Sequence, residues 1–194
     1  DPRNSEIDIV QAVGRAIRLA DGKETGTIVI PVFIPEHEDP DEVLSSSPFK
    51  KVWSVINALR SHDDALAIEL DGFRKQLGKR GTVGKSAKIH FDLPTTVSVD
   101  FERALATKLI ESTTASWEFL LGLLEVYKEE FGNCLVSSKH ITDNGVKLGS
   151  WVGDQRARKY RLTPERIQRL DDLGFVWDAV TELWEQGFSE LAIF

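Results

Sequence analysis

The sequence predicts an α+β chain, mostly helical, with a short α/β segment at its N-terminal end and a small unit of three helices further on. Three observations carry this reading. A helical apolar period over residues 5–18 runs through a turn into the β-branched stretch Gly26–Ile34. Helical periods dominate from Phe49 onward, and the segment around Thr163–Gly174 has the best helix punctuation in the chain. At 194 residues and 41% hydrophobic content, the chain suits one or two modest domains with proper cores.

On the first helix Ile7, Val10, Val13 and Ile17 make the buried side, while Gln11, Arg15 and Arg18 project together from the other. An amide beside two permanently charged guanidiniums is a good surface for a phosphate. Ser5 caps the start, Asp8 favours the dipole, and Gly14 lets a backbone or ligand approach closely. The same pattern also suits an ordinary amphipathic surface helix with two solvated arginines.

Asp21-Gly22-Lys23 reads as a turn and Gly26–Ile34 as a buried strand, the arrangement found at the end of a parallel α/β sheet. Pro35–Pro48 is acidic and rich in Pro and Ser, and reads as a loop. Phe49 to about Leu77 is a helix or helix pair with Val52, Trp53, Ile56, Leu59, Leu66 and Leu70 as its apolar stripe. Gly84-Lys85-Ser86 looks like the end of a phosphate loop, but Lys79 stands where the first glycine of G-x-x-x-x-G-K-[ST] belongs and no strand precedes it. A flexible basic linker leading to a strand-like Ala87–Phe91 is the better reading. Ser98–Ile110 looks helical, and a domain boundary falls between about Gly78 and Ser116.

The next helix opens at Trp117 and ends near Gly132, and a second centres on Leu148, Trp151, Val152 and Gln155. In the third, Thr163 caps, Pro164 takes the first turn, Ile167, Leu170 and Leu173 form the stripe, and Gly174 stops it. The spacing of Trp117, Leu121, Leu124 and Tyr127 returns at Trp184, Phe188, Leu191 and Phe194. That echo suits either the start of a second copy or simply another amphipathic helix.

Net charge is −7, which argues against a protein that coats nucleic acid, but the charge is unevenly spread. Cys134–Arg169 holds eight Lys and Arg against three Asp and Glu, a basic island of +5 in a chain whose remainder carries −12. Within it Gln155, Arg156, Arg158, Lys159, Tyr160 and Arg161 cluster at a helix end, with Lys139 and His140 on the preceding loop. The cations can neutralise phosphates and Tyr160 can stack on a base or sugar, although a solvated helix end favours Lys and Arg as well. Trp117, Trp151 and Trp177 are expected in the core. The four histidines lack ligand spacing, so no metal site is expected, and Cys134 reads as a small buried residue. A single cysteine permits no internal disulfide, and there is neither an apolar run of membrane-spanning length nor a signal peptide. A reducing, cytoplasmic setting is therefore expected. A chain that begins at Asp1 and has no methionine is expected to be a fragment of something longer.

Gln11-Ala12-Val13-Gly14-Arg15-Ala16-Ile17-Arg18 resembles motif VI of superfamily 2 helicases, Q-x-x-G-R-x-x-R. The resemblance implies that Arg18 acts as an arginine finger with Arg15 beside it, Gln11 and Gly14 lining the ATP site. A second string, Leu148-Gly149-Ser150-Trp151-Val152, Gln155-Arg156, Leu162-Thr163-Pro164-Glu165-Arg166 and Leu173-Gly174-Phe175-Val176-Trp177-Asp178, is similar to the helicase-associated domain found in tandem behind some bacterial helicases. It implies a small three-helix unit that binds nucleic acid.

Together the two resemblances imply an incomplete RecA-like α/β segment at 1–80, a linker at 81–115, a helicase-associated domain at 116–178 and the start of a second repeat at 179–194. The function implied is nucleic-acid binding, DNA ahead of RNA, by the C-terminal region of an ATP-dependent helicase, in which ATP and Mg²⁺ sit against upstream RecA-like domains of the same polypeptide. The chain alone is expected to hold no cofactor, to hydrolyse no ATP and to touch no membrane. The competing expectation is a non-enzymatic module that docks an acidic protein partner.

Overall fold

The computed structural model describes residues 27–34 and 39–191. Among them lie eight α-helices and one 3-10 turn. In order these are α1 (Pro40–Ser45), α2 (Ser47–Arg60), α3 (Asp64–Arg80), α4 (Val99–Thr113), α5 (Ser116–Phe131), α6 (Leu148–Ala157), the 3-10 turn Lys159–Arg161, α7 (Pro164–Asp172) and α8 (Ala179–Leu191). The chain divides into two compact units between Phe119 and Leu120.

In the first unit α4 packs against α1, α2 and α3. Its Phe101, Leu105, Leu109 and Ile110 share one apolar cluster with Leu44, Phe49, Trp53, Ile56, Leu66 and Leu70. Burying each of these side chains contributes about 1.5–3 kcal/mol relative to exposure, so the cluster holds the four helices together. Local chemistry sets the helix ends. Asp63 caps α3 by accepting from the Leu66 N–H, and Gly81, at φ 66°, closes it by donating to the Leu77 carbonyl. Ser98 caps α4 by accepting from the Phe101 N–H. Part of the stretch expected as a loop is helical, because Asp39 accepts from the Asp41 N–H and Pro40 fixes the first turn of α1.

The α/β half of the expectation needs correction, since no β-strand forms among the described residues. Residues 27–34 form no regular element, and their exposure alternates with the period of two that a strand shows. Val32 and Ile34 pack against the helical cluster while Val29 and Phe33 are each 81% exposed. β-branched residues favour a strand, but a strand also needs a neighbour to complete its ladder, and no described segment pairs with this one.

Within 81–115, the stretch expected as a linker, residues 82–93 lie along α3. Glu69 accepts from the Ser86 hydroxyl at 3.1 Å and the Ala87 N–H at 2.7 Å, and Lys88 pairs with Asp63 at 2.5 Å. Val83, Ile89 and Leu93 pack against the cluster, and the strand-like Ala87–Phe91 pairs with no other described segment.

In the second unit the buried apolar residues are Leu121, Leu123, Leu124, Cys134, Val136, Leu148, Val152, Leu170 and Phe175. Thr163 caps α7 by accepting from the Arg166 N–H, Pro164 occupies its first turn, and Gly174 follows at φ 72°. Gly149, on the first turn of α6, lies so close to the Ser137–Ser138 backbone that any Cβ would collide with it. Its N–H donates to the His140 carbonyl at 3.0 Å, which fixes the preceding loop against the helix start. No helix among the described residues is long and apolar enough to cross a membrane.

Candidate nucleic-acid interface

The expected basic residues divide between the two ends of α6, a helix of 10 residues and thus about 15 Å long. At its N-terminal end the loop carries Lys139, exposed, and His140, half-buried. The His140 ring lies edge-on to Tyr127 at 4.9 Å and to Phe131 at 6.4 Å, so it packs on the last turns of α5. At the C-terminal end stand Arg158, Lys159, Tyr160 and Arg161, all exposed.

Gln155 and Arg156 face inward. Gln155 is 9% exposed, and its amide donates to the Trp151 carbonyl at 3.5 Å. The Arg156 guanidinium donates from Nε to the Val176 carbonyl at 2.8 Å and from Nη2 to the Cys134 carbonyl at 3.4 Å, and it lies 5.5 Å from the Phe175 ring centroid. Burial pushes its pKa below the ordinary arginine value. It thereby ties α6 to the chain following α5 and to the chain following α7. The buried Cys134 thiol donates to the Leu173 carbonyl at 3.5 Å, and burial pushes its pKa up, so it remains a thiol.

The exposed cations are held in place. The Lys159 ammonium sits 4.1 Å from the centroid of the Trp177 ring, and the Arg161 guanidinium 5.4 Å from that of Tyr160. Arg158 approaches Asp154 at 3.8 Å on an exposed face, a weak pairing. Trp177, expected in the core, is half-exposed; its indole N–H donates to Asp171 at 2.7 Å and its ring meets Phe175 edge-on at 4.7 Å. By count Trp177 stays in phase with Leu170 and Leu173, but it lies beyond the Gly174 stop, where the helix has ended and the period no longer places side chains.

Gln11, Gly14, Arg15 and Arg18 lie outside the described residues. A cavity of about 450 Å³ in the first unit, lined by Phe73, Val83, Ile89, Val99 and Ile110 among others, includes none of the expected site residues. No group of three or more His, Cys, Asp or Glu residues suited to a metal ion occurs among the described residues.

The second unit is thus a small helical body whose exposed basic tip is braced by aromatic rings, an arrangement suited to a polyanion. The family described as the Helicase associated domain matches residues 114–178, about a third of the chain, and this segment is a helicase-related domain. No curated protein matches the chain, and no solved structure does.

Proposed function

We propose that this chain is a nucleic-acid-binding region of an ATP-dependent helicase or translocase. The observation that carries the reading is the run Arg158–Arg161, whose cations stand exposed on the segment that matches the helicase-associated family. Phosphate neutralisation by such cations supplies most of the affinity of sequence-independent binding.

Two further parts of the reading rest on the sequence. Arg18 and Arg15, with Gln11 and Gly14, act as motif VI against ATP and Mg²⁺ held by a RecA-like domain of the same polypeptide, where positioned positive charge speeds phosphoryl transfer. Residues 179–194 open a second repeat. In support, Trp184 and Phe188 stack at 5.5 Å and both remain exposed, whereas their counterparts Trp117 and Leu121 are buried.

The test is a salt titration of the purified chain with DNA and RNA. Affinity falls linearly in logarithmic terms with salt, and Arg158→Ala, Lys159→Ala and Arg161→Ala each weaken it. Absence of binding at low salt overturns the reading and leaves the docking of an acidic protein as the alternative. ATP hydrolysis by this chain alone would overturn the assignment of its arginines as half of a site.

A further inference from the structure

We infer that the tip of the second unit takes single-stranded nucleic acid in preference to duplex, with an unstacked base on the Tyr160 ring. The inference rests on the nucleic-acid reading above and adds which form of the polymer the site selects.

Three observations lead there. Tyr160 is 77% exposed, far more than the packing of a helical unit requires of an aromatic residue, and its hydroxyl makes no hydrogen bond to the described residues. It sits in the three-residue 3-10 turn Lys159–Arg161, which follows Arg158, so three cations adjoin it in the chain and the Arg161 guanidinium lies 5.4 Å from its ring centroid. The turn is also braced: its backbone closes through the Arg161 N–H to the Arg158 carbonyl at 2.8 Å and the Leu162 N–H to the Lys159 carbonyl at 3.1 Å. Lys159 in turn is seated on Trp177, which Asp171 anchors.

A duplex also offers phosphates, but it keeps its base faces against one another and presents only base edges, through grooves that admit a helix or a ribbon. A three-residue tip is too short to lie along a groove, and an aromatic ring stacks on a base face, which a duplex keeps covered. A single strand offers what the tip can use: phosphates at close intervals for Arg158, Lys159 and Arg161, and free base faces for Tyr160. DNA and RNA strands share that chemistry.

The experiment measures binding of the whole chain to four labelled probes at about 50 mM salt: a short DNA single strand, the same strand as RNA, the blunt DNA duplex, and the DNA strand carrying abasic sites. The single strands bind at least about tenfold tighter than the duplex, and the DNA and RNA arms show which sugar the site accepts. Tyr160→Ala weakens single-strand binding by about tenfold, as loss of one stacked base requires, and leaves the salt slope unchanged because no charge is removed. Tyr160→Phe retains the affinity. Abasic DNA binds the unaltered chain about as weakly as the intact strand binds Y160A, and Y160A does not distinguish the two strands. A duplex bound as tightly as single strands, or a silent Y160A, overturns the inference while the nucleic-acid reading stands. Failure of all four probes overturns both. Thermal unfolding of Y160A is unchanged, as the exposed ring predicts, which separates lost stacking from lost fold.

Discussion

Arg156 and Val176 are joined by a 2.8 Å hydrogen bond from guanidinium Nε to backbone carbonyl, across 20 residues of chain. With the second bond to Cys134, one side chain holds three segments in register. An arginine from the most basic run of the sequence thus serves the interior of the unit, and its neighbours at 158–161 stand exposed.

Arg156→Ala should therefore destabilise the second unit by about 2–3 kcal/mol, since it strips charge-assisted bonds from two carbonyls. Arg156→Lys recovers only part of this, because an ammonium cannot reproduce the planar fork. Urea unfolding monitored by tryptophan fluorescence checks both, with Arg158→Ala as the variant that leaves stability nearly unchanged.

The same division predicts the salt response. Each of Arg158→Ala, Lys159→Ala and Arg161→Ala lowers the slope of log affinity against log salt by about 0.7 on a single strand. Equal slopes for all three variants and the parent chain would show that these cations touch no phosphate.

Two glycines of α6 should respond in opposite directions to alanine. Gly149→Ala drives a methyl into the Ser137–Ser138 backbone and costs about 1–3 kcal/mol. Gly153 has open space where its Cβ would stand, so Gly153→Ala gains about 0.5–1 kcal/mol from helix propensity. Paired denaturation curves decide the matter.

Acid should weaken the first unit through Asp63. The hydrogen bond from Lys88, and next the Leu66 N–H, hold its carboxyl below the usual aspartate range. A folded pKa lower than the unfolded one means that the stabilisation is complete above about pH 4 and is lost as pH falls through the folded value. The pair is substantially exposed and screened by salt, so the effect is small. Melting temperature against pH should decline less steeply on the acid side for Lys88→Ala, and less steeply for any chain as salt is raised.

Helix ends were legible in the sequence where the signal is local. Thr163, Pro164 and Gly174 act within one turn of the residues they punctuate, and each stands where the pattern put it. The short α1 was hidden by an acidic, proline-containing composition, although Asp39-Pro40 is itself a start signal. Residues 27–34 expose the opposite limit. Their β-branched run and alternating burial suit a strand, but pairing depends on distant chain that no local pattern describes. The exposed half of the basic site was readable as a run of charges. The inward turn of Arg156 was not, because its carbonyl partners lie 22 and 20 residues away.

The strip at 27–34 exposes Val29 and Phe33 and pairs with no described segment, the combination that in a sheet edge invites a second chain to pair. Pro31 breaks the row of donors there, since it has no N–H to offer and sits exposed at the middle of the strip. Pro31→Thr would supply the missing N–H and lengthen the run of donors open to such pairing.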